Sequence, residues 1–86
     1  MSIEAAFEYK TRVAKLEARA YKACRTAWDS GECGKENAAL VELCRELGRL
    51  LLAIRHIELD DADSAQDIYE QACALVYDYG CEHTLA

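Results

Sequence analysis

The chain has 86 residues, with 10 Lys and Arg against 16 Asp and Glu, for a net charge of −6. That length allows one domain, 1–86, with a thin core, and the acidity opposes nucleic acid as a direct partner. No apolar run, Leu50 to Ile54 included, approaches the roughly 20 residues a membrane span needs.

The opening Met1-Ser2-Ile3-Glu4 offers neither a basic stretch nor an apolar one, so no secretory signal is expected. The cysteine count of 5 is odd. Together these favour reduced thiols and a cytoplasmic location over a disulfide framework.

A first helix is predicted over about residues 3–29. Ala6, Tyr9, Val13, Leu16, Ala20, Ala23 and Ala27 alternate spacings of three and four, which defines a core-facing seam. Beside it runs a second apolar row, Phe7, Ala14, Tyr21 and Trp28, each seven residues from the next. Arg12, Lys15, Arg19 and Lys22 share a face pointing away from the seam. The pair Gly31 and Gly34 in Asp-Ser-Gly-Glu-Cys-Gly ends the helix.

A second helix is predicted over about 35–59. Leu40, Leu43, Leu47, Leu50, Ile54 and Ile57 form its seam. Val41, Gly48, Leu52 and Leu59 lie roughly 140° away, so this helix is apolar around much of its circumference. Gly48 costs about 1 kcal/mol against alanine in a helix interior, which predicts close approach by another backbone at that point.

A third helix is predicted over about 61–79. The run Asp60-Asp61-Ala62-Asp63 supplies N-cap candidates, and Gly80 suits the position just past the C-terminus. Ala65, Ile68, Ala72, Leu75 and Tyr79 form the seam. Asp63, Asp67, Glu70 and Asp78 occupy the opposite side within an arc of about 80°. From Asp60 onward the chain has no lysine or arginine, whereas the first 28 residues hold six bases against three acids. Asp63 and Asp67 lie near the favourable helix N-terminus, while Asp78 lies in the last turn, where negative charge is disfavoured.

Seams of this spacing with short connections predict an all-α, antiparallel three-helix bundle. The alternative is a long helical hairpin that completes its core by dimerising. The row Phe7, Tyr21 and Trp28, set beside an already complete seam, predicts self-association as a homodimer, since aromatic side chains are enriched at interfaces. The acidic stripe Asp63, Asp67, Glu70 and Asp78 predicts a protein partner with a basic surface, including one that normally holds phosphates.

Bundle topology predicts that Cys33, Cys81 and His83 gather at one pole, with Cys24 as a fourth neighbour. No Cys-x-x-Cys is present and the spacing matches no zinc finger, so no metal or cofactor is expected. Cys24, Cys44 and Cys73 read as small buried hydrophobes. Asp61-Ala62-Asp63-Ser64-Ala65-Gln66 lacks the glycine of a calcium loop. No phosphate loop, paired helical Glu/His set or nucleophile elbow occurs, so no catalytic residue is predicted.

These features point to a non-enzymatic protein-binding module acting by stoichiometric contact. A small acidic inhibitor or adaptor fits, for example a phage or mobile-element protein that blocks a host nucleic-acid-handling complex. The alternatives are a metal- or thiol-dependent regulator using the cysteine-rich pole, and a helical nucleic-acid-binding regulator using the basic face of the first helix.

Overall fold

A computed structural model describes residues 3–29, 31 and 35–80, with side chains described for 5–29, 31 and 38–80. Three helices follow in order: α1, Ile3–Asp29; α2, Lys35–Arg55; and α3, Ala62–Asp78. All three pairs are in contact, in a bundle with principal extents of 47 × 20 × 19 Å. The long axis matches the length of α1, whose 27 residues rise about 40 Å at 1.5 Å each. The fold is the three-helix bundle that the seams predict.

The buried residues are Ala6, Val13 and Ala20 from α1, Leu40, Leu43, Leu47 and Ile54 from α2, and Ala62, Ala65, Ala72 and Val76 from α3. Tyr9, Leu16, Ala23, Leu50, Ile57, Ile68, Leu75 and Tyr79 pack around them, half-buried. The division of labour follows residue size. α1 and α3 present alanines and single valines, and α2 presents leucines and an isoleucine. Large side chains from one helix fill the space left by small ones on its neighbours, which is how a short bundle reaches interior packing density.

Helix ends follow local chemistry. Gly31 adopts φ 74° and donates its N–H to the Trp28 carbonyl at 3.1 Å, closing α1. Asp61 caps α3, its Oδ1 accepting from the Ser64 N–H at 3.2 Å. At the other end Tyr79 N–H bonds the Leu75 carbonyl, and Gly80, with φ 68°, donates to Tyr77 O at 2.9 Å.

α2 stops at Arg55, four residues before the predicted end. His56 and Ile57 donate instead to Ala53 and Ile54 at 3.2 Å, the tighter turn that closes many helices. Carrying the helix on would place Glu58 and Asp60 at its negative end, whereas Arg55 there is favourable. The Lys10 ammonium on α1 donates to the Ile57 carbonyl, which satisfies an acceptor the helix no longer uses.

Candidate functional site

Two contacts fix the register of α1 against α2 and the turn that follows it. Lys10 reaches Ile57 near one end, and Cys24 meets Cys44 toward the other, with the sulfurs 3.2 Å apart. The helices are therefore antiparallel, with Trp28 level with Val41 and Tyr21 level with Gly48. On a wheel of 100° per residue, Phe7, Ala14, Tyr21 and Trp28 lie about 40–100° beyond Cys24, turned away from the seam. Val41, Gly48 and Leu52 lie about 40–80° beyond Cys44, also turned away from the seam. Because the two sulfurs meet, both rows lie on the same side of the α1–α2 pair.

α3 lies on the other side of α1. The Tyr69 ring from α3 meets Tyr9 at a centroid distance of 5.5 Å, and the Arg12 guanidinium lies 5.5 Å from the Tyr69 centroid and 5.7 Å from that of Tyr9. Arg12 and Tyr21 are about 180° apart on the wheel. The apolar rows thus occupy the face of the α1–α2 pair that α3 does not cover.

That face is open to solvent. Phe7 is 63% exposed, Tyr21 56% and Trp28 77%, and on α2 Val41 is 48% and Leu52 60% exposed. Leu59, in the connection beyond α2, is exposed as well. The wide apolar circumferences of α1 and α2 therefore do not wrap a single core. Aromatic side chains of about 150–250 Å² each, at these exposures, leave roughly 300–500 Å² of Phe7, Tyr21 and Trp28 in water before α2 is counted. This exposed area is spread along α1 from Phe7 to Trp28, about 30 Å at 1.5 Å per residue.

Among the described residues, Gly48 meets no other backbone. A Cβ added there would find nothing within 4 Å. The expected close approach is absent within the bundle, because Gly48 lies on the uncovered face and not at a helix crossing.

The acidic row stands on the outer side of α3, and Asp63, Asp67, Glu70 and Asp78 are all exposed. Two glutamines that the sequence pattern left out temper it. Gln71 donates to Asp67 at 3.3 Å and Gln66 to Glu70 at 3.2 Å, each across one helical turn. Tyr77, 73% exposed, is a further member that the seam analysis missed. Its signal was the spacing Asp63, Glu70, Tyr77, seven residues apart, which sets an aromatic ring at the end of an acidic row.

The basic face of α1 is less uniform than its spacing implies. Arg12 pairs with Glu8 at 2.5 Å and lies over the two tyrosines at the α1–α3 edge. Lys15, Arg19 and Lys22 remain exposed. The ion pairs Arg12–Glu8, Arg45–Glu42 and Arg49–Glu46 each join neighbours on one helix, so they leave the charge separation between α1 and α3 in place.

The thiols depart from the expectation of buried hydrophobes. Cys73 is exposed, while Cys24 and Cys44 are half-buried. The Cys73 thiol as hydrogen-bond partner, followed by burial, pushes the Tyr69 pKa above the ordinary tyrosine value, with Arg12 pulling the other way. The pole proposed for Cys33, Cys81 and His83 lies outside the described residues. Among the described residues no group of His, Cys, Asp and Glu could hold a metal ion, and no helix is long and apolar enough to cross a membrane.

No family model, no curated protein and no solved structure matches this chain.

Proposed function

We propose that this chain is a non-enzymatic protein-binding module that acts by stoichiometric contact. The observation that carries the reading is the uncovered α1–α2 face, on which Phe7, Tyr21 and Trp28 are each more than half exposed beside Val41 and Leu52. Leaving such a surface in water forgoes about 25 cal/mol for every Å² of apolar area that contact would bury.

In this reading the face is a self-association surface, and the chain works as a homodimer whose two copies set these faces against each other. A twofold contact of this kind is self-complementary. Gly48 supports it: a position without a side chain, open within the monomer, admits the close approach of a second backbone. The acidic row Asp63, Asp67, Glu70 and Asp78 then stays outward on both copies and docks on a basic surface of a protein partner. Size, acidity and the absence of a catalytic motif suit an inhibitor or adaptor, including a phage or mobile-element protein directed at a host nucleic-acid-handling complex.

The test is capture of a partner from candidate host cells on three immobilised forms: the natural chain, Phe7→Ser/Trp28→Ser and Asp67→Lys/Glu70→Lys. A partner held by the natural chain and lost with the acidic-row variant supports the reading. A partner held equally by all three forms contradicts it.

A further inference from the structure

We propose that Cys24 and Cys44 form a covalent modification site, a dithiol that reacts with a low-molecular-weight disulfide and closes into a crosslink between α1 and α2. Their sulfurs stand 3.2 Å apart, so one thiol already donates to the other. A disulfide bond is about 2.05 Å long, and the remaining gap of about 1 Å is within reach of side-chain rotation. Both residues lie inside regular helices, Cys24 in α1 and Cys44 in α2, so their separation is set by helix packing and not by a loop. Both are half-buried, so neither residue is sealed from solvent. Cys73 lacks this arrangement: it is exposed on α3, with no second thiol against it among the described residues.

The reaction balances without a further component. One cysteine, as thiolate, attacks a sulfur of the small disulfide, forms a mixed disulfide and expels one small thiolate. The second cysteine, losing its proton, attacks the protein sulfur of that mixed disulfide and expels the second. Two protein thiols are oxidised to one disulfide, and one small disulfide is reduced to two thiols. The bond closes a loop of about 20 residues that includes the α1–α2 connection. Such a loop restricts the unfolded chain, and the expected rise in melting temperature is roughly 10–20 °C. The bond would also tie α1 to α2 beside the two apolar rows, which fixes their spacing. This site stands independently of what the apolar face binds.

The test uses the full chain with Cys33→Ser, Cys73→Ser and Cys81→Ser, treated with oxidised glutathione. The expected product is lighter by two hydrogens, retains no glutathione and melts higher until a reductant is added. Glutathione retained on either cysteine, a crosslink between two chains, or thiols still unreacted after Cys73 of the natural chain has reacted would each overturn the proposal. Should the triple variant not fold, the natural chain gives the same decision by tryptic mapping. Fragment 23–25 joined to fragment 36–45 supports the site, and any other pairing of Cys24 or Cys44 overturns it.

Discussion

Tyr9 on α1 and Tyr69 on α3 meet with their ring centroids 5.5 Å apart and their planes tilted by 35°. This contact, with the Arg12 guanidinium over both rings, supplies large apolar area where the buried residues of both helices are mostly alanine. Alanine buries little surface, so the tyrosine pair adds to an α1–α3 attachment otherwise made by Val13, Val76 and the half-buried Leu16, Ile68 and Leu75.

The same contact predicts a pH response. Hydrogen bonding to Cys73 and burial favour the neutral Tyr69 phenol in the folded state. The folded chain therefore keeps a proton that the unfolded chain releases at lower pH. The stabilisation is complete below the ordinary tyrosine value of about 10 and is lost as pH rises through the higher folded value. Melting temperature measured between about pH 9 and pH 12 should fall more steeply for the natural chain than for Tyr69→Phe. Parallel slopes would show that Tyr69 does not titrate in this way.

Core and face substitutions should separate sharply. Leu47 is fully buried, whereas Leu52, five residues along the same helix, is 60% exposed. Leu47→Ala should cost about 2–5 kcal/mol, enough to unfold much of a small domain. Leu52→Ala in the monomeric chain should fall within about 0.5 kcal/mol of the natural protein. Urea unfolding at low protein concentration checks both values.

Loss of the α3 cap is a local test of the third helix. Asp61 Oδ1 accepts from Ser64 N–H at 3.2 Å, and Asp61→Ala should cost about 1 kcal/mol. In a domain of this size that lowers the melting temperature by about 4–8 °C. Asp61→Ser should restore most of the loss, because its hydroxyl can accept the same bond.

Much of the fold was legible because seam residues obey helical spacing. Val13, Leu43, Leu47, Ile54, Ala65 and Ala72 were on predicted seams and are buried. The α2 end was misread because Ile57 and Leu59 continue the apolar pattern after the backbone has turned. Periodicity registers side-chain type, and carbonyl partners such as Lys10 do not enter it. The exposed row Phe7, Tyr21 and Trp28 was legible as surplus apolar spacing. The Cys24–Cys44 contact was not, since sequence alone does not give the rotation of one helix against another, and that rotation brings the sulfurs together. Gly48 illustrates the same limit: its spacing located the position but not whether anything fills the space.

The acidic row makes a kinetic prediction. Steering by exposed charge raises association rates and fades with salt, since screening acts over about 8–10 Å at physiological ionic strength. Asp67 and Glu70 are exposed and accept from glutamine amides one turn away. Asp67→Lys/Glu70→Lys should therefore leave helicity unchanged, slow association with an identified partner and flatten its salt dependence. Circular dichroism and stopped-flow mixing measure the two halves of this expectation.

The central claim is that the α1–α2 face carrying Phe7, Tyr21 and Trp28 is a contact surface between two copies. Multi-angle light scattering from micromolar to submillimolar concentration tests it most directly. The expected mass is near twice the 9.6 kDa of the chain, returning to a single chain in Phe7→Ser/Trp28→Ser. A strict monomer across that whole range for the natural chain would contradict it.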